Sequence, residues 1–103
     1  GVDRVARHLW RGMLRLADRH PDVVEGVQGA GLLVGLKLRP EVSNGDMQAA
    51  AVAEGLLTVA AGMNVLRLAP PLIIAEAEAD EALRLLDRAC LRAKPGGEKE
   101  AAQ

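Results

Sequence analysis

Arg67 is the residue whose type and position most directly suggest chemistry. It lies inside the apolar stretch NVLRLAPPL, which runs from Asn64 to Leu72. A guanidinium is costly to remove from water unless an anion faces it. On a strand, the side chains of Leu66 and Leu68 face one way and that of Arg67 faces the other. Two interpretations stay open: a surface arginine paired with a nearby acid, or a clamp that holds a carboxylate through two parallel hydrogen bonds.

The other reactive residue types lack the partners that their chemistry requires. Lys37 alternates with Leu36 and Leu38, which favours a solvent-facing strand position over an amine nucleophile. Cys90 is the only cysteine, so an internal disulfide and a cysteine metal cluster are excluded, and a small core residue is the simplest interpretation. Ser43 is the only serine and has no adjacent histidine, which argues against a hydrolytic triad.

Neither a metal site nor a phosphate loop is expected. His8 and His20 have no partner at metal-ligand spacing, and we expect both at the surface of the first helix or at its end. The glycine string GVQGAGLLVG would need a helix after it to bind phosphate, but the residues after Gly31 have the pattern of a strand. These glycines are therefore predicted to belong to strands and a turn.

Composition restricts the class of protein. The chain has 103 residues, of which 50% are hydrophobic, and Trp10 is the only aromatic residue. This length suits one small domain with a core of aliphatic side chains. A net charge of −1 and the lack of aromatic stacking platforms argue against nucleic-acid binding. No apolar run approaches the roughly 20 residues of a membrane span, and the single cysteine fits a cytoplasmic protein.

Apolar periodicity and turn residues predict three helices and two pairs of strands. The expected elements are a helix over 2–19, strands near 23–27 and 32–38, a helix over 47–54, strands over 56–61 and 65–69, and a helix over 75–94. Asp46 is expected to cap the second helix and Gly55 to end it. The order predicts an α+β fold with a small, mostly antiparallel sheet covered by helices on one face. Residues 1–94 would form the domain, and residues 95–103 a polar, disordered tail.

Three stretches together resemble class III pyridoxal-phosphate aminotransferases, with the closest match to the acetylornithine and ornithine type. VVEGVQGAGLLVGLKL is similar to the family's V-R-G-x-G-L-[LM]-x-G strand pair. AEGLLTVAAGMNVLRLAPPLII is similar to the segment that carries its N-V-[LIV]-R and P-P-L patterns, and EAEADEALRLLDRA to its final helix. Two departures are visible: Gln28 stands where the family usually has arginine, and Ala75 offers no side-chain cap to the last helix.

The resemblance implies the small C-terminal domain of a fold-type I pyridoxal-phosphate enzyme. Arg67 matches a family arginine that binds a substrate carboxylate and in some members pairs with a large-domain glutamate when the site is empty. The Schiff-base lysine, the aspartate facing the cofactor ring and the phosphate loop belong to the large domain of the same protein. The resemblance therefore implies no catalytic or cofactor-binding residue in this chain, which alone is expected to be inactive.

For the intact enzyme, the resemblance implies a cytoplasmic homodimer. With pyridoxal phosphate as cofactor, it would transfer an amino group between N-acetylornithine and 2-oxoglutarate in arginine biosynthesis. Succinylornithine, ornithine and 4-aminobutyrate stay open as alternative donors. Two other classes remain open: a free-standing module with a ferredoxin-like arrangement that binds a small anion through Arg67, and a structural or oligomerisation domain.

Overall fold

The computed structural model describes residues 2–30, 33–68 and 75–94. The elements in chain order are α1 (Val2–Arg19), β1 (Val24–Ala30), β2 (Leu33–Leu38), α2 (Asn44–Ala53), β3 (Thr58–Ala61), a 3-10 turn (Gly62–Asn64), β4 (Val65–Leu68) and α3 (Glu76–Ala93). The predicted order of helices and strands is confirmed. The expected tail over 95–103 lies outside the described residues.

The four strands form one sheet in the order β1-β2-β4-β3, and every neighbouring pair is antiparallel. β4 is therefore an interior strand, bonded to β2 on one side and to β3 on the other. Leu36 on β2 and Leu66 on β4 point into the core and are almost fully buried. The helices pack on this face, with α1 and α2 both against α3. The predicted α+β fold is confirmed.

The core consists of aliphatic side chains from the sheet and the helices. The buried core side chains include Val5, Leu9, Met13 and Leu16 on α1, and Leu83, Leu86 and Cys90 on α3. Both stripes match the spacing in the sequence. Burying each large aliphatic side chain contributes about 1.5–3 kcal/mol before the opposing loss of chain entropy. This apolar contact fixes which face of the sheet is left uncovered.

The capping prediction for α2 is wrong by three residues. Ser43, not Asp46, is the N-cap, and its hydroxyl accepts a hydrogen bond from the Asp46 backbone N–H at 3.0 Å. Asp46 lies in the first helical turn, where its carboxylate faces the positive end of the helix dipole. Gly55 follows the helix with φ of 91°, so its predicted role as the terminating glycine is confirmed.

His20 is buried, and the prediction of a surface position is wrong for this residue. Its Nε2 lies 2.6 Å from Oδ1 of Asp87 on α3, and Arg19 Nε donates to the same oxygen at 3.1 Å. Partial burial acts to raise the pKa of Asp87, but the bonds from His20 and Arg19 outweigh it and hold that pKa below its usual 3.8. These contacts join the end of α1 to α3.

The turn before β4 is held by side chains from elsewhere in the domain. Met63 and Asn64 have φ of 61° and 60°, in the left-handed region that residues with a Cβ rarely adopt. The Asn64 amide donates to the carbonyls of Val42 at 2.8 Å and Arg39 at 3.1 Å, and its oxygen accepts from the Asn44 N–H at 2.8 Å. The start of β4 is thereby tied to the connection between β2 and α2.

Replacing Asn64 tests this attachment. Asn64→Ala should lower the free energy of unfolding by about 2 kcal/mol, because it removes hydrogen bonds worth about 1 kcal/mol each and strains a positive φ. Asn64→Gly should cost less, since glycine tolerates that φ. Urea denaturation measures both variants. Equal, negligible losses in the two would show that the turn does not depend on this side chain.

Asp87 should make stability depend on pH in the acid range. Its folded-state pKa is lowered, so its stabilisation is present above the unfolded value and disappears as pH falls through the folded value. The difference in unfolding free energy between the parent protein and Asp87→Asn should therefore shrink between about pH 5 and pH 2.5. Asp18→Asn, an exposed charge on α1, controls for the loss of a surface carboxylate. A constant difference across this range would contradict the assignment.

Candidate functional site

Arg67 lies on the face of the sheet opposite the helices, which no described helix covers and which we call the open face. Its neighbour Leu66 points into the core, and Leu68 packs against that core, so Arg67 emerges on the opposite side. Its side chain is exposed. Within residues 2–30, 33–68 and 75–94, no acid pairs with it. The nearby-acid interpretation therefore has no support in the described part of the chain.

One row of paired residues crosses the whole sheet through Arg67. In the register, Gln28 on β1 faces Gly35 on β2, Gly35 faces Arg67 on β4, and Arg67 faces Val59 on β3. Directly paired residues in an antiparallel sheet point to the same side. We call these four residues the Arg67 row. It presents one cation, one amide, one position without a side chain, and one apolar side chain to the open face.

Gly35 is a member of this row that the residue-type search missed. A Cβ built there would lie 3.1 Å from Cγ of Arg67 and 2.9 Å from the carbonyl oxygen of Leu66. The sequence does carry a signal for such a position, because an isolated glycine inside a strand pattern often marks a close approach.

Exposed apolar side chains lie at the β3 edge of the sheet, one of them in the Arg67 row and two beside it. Leu57, Val59 and Met63 are exposed by 69%, 44% and 85%. β3 is an edge strand, with β4 on one side only. Apolar side chains beside an unpaired edge are a surface on which further protein can pack.

Lys37 does not have the free amine that solvent exposure would give it. Its side chain is partly buried, and its ammonium group donates to the carbonyl of Met63 in the turn before β4. The predicted face opposite Leu36 agrees with the structure, whereas the predicted solvent position holds only in part, because the side chain is partly buried and bonded. This contact makes Lys37 part of the support for the turn.

The other candidate residues lie away from the Arg67 row. His8 is partly buried on α1, and its Nε2 lies 2.6 Å from Asp80 on α3. It borders an open cavity of about 500 Å³ at the N-terminal ends of α1 and α3, which Arg4, Arg7, Arg11 and Glu76 complete. Ser43 is occupied as the cap of α2.

The described residues offer neither a metal site nor a membrane-spanning helix. Among the described residues, no group of three or more His, Cys, Asp or Glu side chains could hold a metal ion. In the same part of the chain, every helix is too short or too polar to cross a membrane.

Fold and site together define a class: a small α+β domain whose one-sided sheet presents an arginine that has no acid partner in the described part of the chain. Comparison with known proteins gives the family. The profile described as aminotransferase class-III matches residues 1–90, and the chain belongs to that family. The acetylornithine aminotransferase 1 of Bradyrhizobium diazoefficiens is 44% identical over 101 residues, which cover 98% of this chain and 24% of that protein. The acetylornithine aminotransferase of Agrobacterium fabrum is 47% identical over 88 residues, 85% of this chain and 22% of that protein.

Solved structures agree on the fold. The N-acetylornithine aminotransferase from Stenotrophomonas maltophilia matches with a TM-score of 0.78 and 32% identity, over 99% of this chain and 27% of that one. The ornithine delta-aminotransferase of Plasmodium falciparum has a TM-score of 0.80 at 22% identity, over 92% of this chain and 25% of that one, and shows the fold alone. The chain thus spans about a quarter of the length of these relatives.

Cys90 should be chemically inert in the folded protein. Its side chain is fully buried, and desolvation, with a smaller contribution from Asp87, raises the pKa of the thiol to about 12. The thiolate is the reactive form, so labelling by a disulfide reagent should be slow and should accelerate as urea unfolds the chain. Rapid stoichiometric labelling of the native protein would contradict both the burial and the core assignment.

Proposed function

We propose that this chain acts as the small domain of a longer pyridoxal-phosphate-dependent aminotransferase of the acetylornithine type. Arg67 would bind a carboxylate of the amino-acid or keto-acid substrate. The observation that carries this proposal is the exposed guanidinium of Arg67 on the open sheet face, without an acid partner among residues 2–30, 33–68 and 75–94. The reaction would exchange an amino group between N-acetylornithine and 2-oxoglutarate, in arginine biosynthesis.

The chemistry of the side chain supports a carboxylate ligand. A guanidinium is planar, stays charged at all relevant pH values and matches the two oxygens of a carboxylate with parallel N–H donors. Arg67 also lies on an interior strand bonded on both sides. Its backbone is therefore held more firmly than that of a loop residue, which suits a group that must orient a substrate.

We infer no cofactor contact for the described residues. Both described lysine amines already have a polar partner. The Lys37 ammonium group donates to the Met63 carbonyl, and Nζ of Lys94, after the end of α3, lies 3.7 Å from a carboxylate oxygen of Asp22. In this proposal pyridoxal phosphate is held by the large domain of the longer protein, and this chain supplies the carboxylate contact.

The exposed apolar side chains at the β3 edge support the proposal that another domain covers the open face of the sheet. Leu57, Val59 and Met63 beside the Arg67 row would pack against the large domain and exclude water from the bound substrate. We propose residues 1–94 as the domain that makes this contact, within a cytoplasmic homodimer.

In the longer protein, Arg67→Lys should damage substrate use far more than folding. Lysine keeps the charge but loses the planar two-bond contact, and such a charged contact is worth roughly 1.5–3 kcal/mol, or about ten- to a hundred-fold in kcat/KM. The melting temperature should change little, because Arg67 is exposed. Steady-state kinetics with donor and acceptor, beside a melting curve, measure both. Arg15→Lys on the exposed side of α1 is the matched control.

A reversed pattern would refute the carboxylate role. Unchanged kinetics with a large fall in melting temperature would make Arg67 a structural residue.

The 103-residue chain alone should form no Schiff base with pyridoxal phosphate at a defined site. We expect only weak, non-saturable absorbance from surface amines when the cofactor is added. A saturable, stoichiometric absorbance band that Lys37→Arg abolishes would place a cofactor site in this chain. It would contradict the proposed division between two domains.

A further inference from the structure

The side chain of Arg67 leans over Gly35 on the neighbouring strand. Directly paired residues of an antiparallel sheet have Cβ atoms about 4.5–5.5 Å apart. Cγ of Arg67 lies only 3.1 Å from the position that a Cβ of Gly35 would occupy. The aliphatic part of Arg67 is therefore directed across β2, toward the β1 side of the sheet.

Both neighbours of Arg67 in the row favour this direction. On the β3 side, Val59 carries a branched side chain at the paired position. On the β2 side, Gly35 carries none, and beyond it in the same row lies the exposed amide of Gln28. Cγ of Arg67 thus lies toward the strand without a side chain at the paired position, on the side of the sheet where Gln28 lies.

A glycine is required at position 35 because the neighbouring strand leaves no room for a Cβ. Among the described glycines, Gly29 and Gly55 have φ in the positive region, whereas Gly35 does not. A Cβ at Gly35 would nevertheless lie within 3.1 Å of three atoms: the Leu66 carbonyl oxygen, Cγ1 of Val65 and Cγ of Arg67. Any side chain at this position must displace Arg67 or its strand.

We propose that Gly35 is a positioning residue for Arg67: the missing side chain lets Arg67 lie across β2 and so places the substrate carboxylate over β2, between Arg67 and Gln28. This inference rests on the proposed function of Arg67. It adds a specificity determinant that does not itself contact the reacting atoms.

The sheet supplies a matched control for the substitution. Gly26 lies on β1, pairs with Lys37 in the next row on the same face of the sheet, and has no atom within 4 Å of a built Cβ. Gly26→Ala therefore makes the same chemical change on the same face of the sheet without the contact to Arg67.

The test is a double-mutant cycle in the longer protein. Its members are Gly35→Ala, Arg67→Ala and the double variant, with Gly26→Ala as control. We expect Gly35→Ala to raise KM for the keto acid about ten- to a hundred-fold, as expected for a catalytic contact displaced by about 1 Å. In the Arg67→Ala background the same substitution should change KM less than about two-fold, because its effect passes through Arg67. The melting temperature should fall in both backgrounds, since the close contacts with the Leu66 carbonyl and Cγ1 of Val65 persist, and it should fall less where Cγ of Arg67 has been removed.

The outcomes separate the two proposals. A Gly35→Ala effect on KM of equal size with and without Arg67, or no effect at all, would overturn the positioning role and leave the proposed function standing. An Arg67→Ala variant with unchanged KM would overturn the proposed function as well.

A second measurement does not depend on folding of the variants. In the unsubstituted chain, a nuclear Overhauser effect between the Hγ protons of Arg67 and the Hα protons of Gly35 is expected. Its absence, with a corresponding contact from Arg67 to Val59, would contradict the direction assigned to the side chain.

Discussion

Apolar contact between one face of the sheet and the helices is the constraint on which the rest of the structure depends. With a single aromatic residue in the chain, the core must be closed by many small aliphatic contacts, such as those of Leu9 on α1 and Leu86 on α3. The burial of Leu36 and Leu66 fixes which face of β2 and β4 points into that core. Because side chains alternate along a strand, Arg67 then points to the open face.

Polar contacts then fix the position of β4, after burial has determined which of its faces points into the core. The side chains of Asn44, Asn64 and Lys37 all bind within or beside the turn that leads into β4. They fix where the strand begins and therefore which residue stands opposite Gly35. A one-residue slip would turn Arg67 into the core and Leu66 out of it. Burial and turn chemistry thus favour one register.

The apolar periodicity of the sequence predicted the buried face of the first helix and the side of the sheet on which Arg67 lies. The apolar positions Val5, Leu9 and Met13 give α1 its buried face, and the alternation around Arg67 gives the side of the sheet from which it emerges. The order of elements and the one-sided sheet follow from the same patterns. The resemblance to class III aminotransferases rests on motifs, and the family match confirms it.

The differences between prediction and structure concern contacts between residues distant in the chain and, at the start of α2, a local helix boundary. His20 is buried because Asp87, 67 residues further on, accepts its hydrogen bond, and no local pattern encodes that pairing. Lys37 is held by a carbonyl 26 residues away. Ser43 displaced Asp46 as the cap because the helix begins earlier than its apolar residues indicate. The importance of Gly35 required the register between β2 and β4, which sequence alone does not supply.

The most direct test of the central claim is a crystal structure of the longer protein with a bound keto-acid substrate. The account predicts one substrate carboxylate facing the Arg67 guanidinium, with both oxygens at about 2.7–2.9 Å from its nitrogens. It also predicts that this carboxylate lies over Gly35. A substrate carboxylate held entirely by other side chains, with Arg67 paired to a protein acid in the same complex, would contradict it.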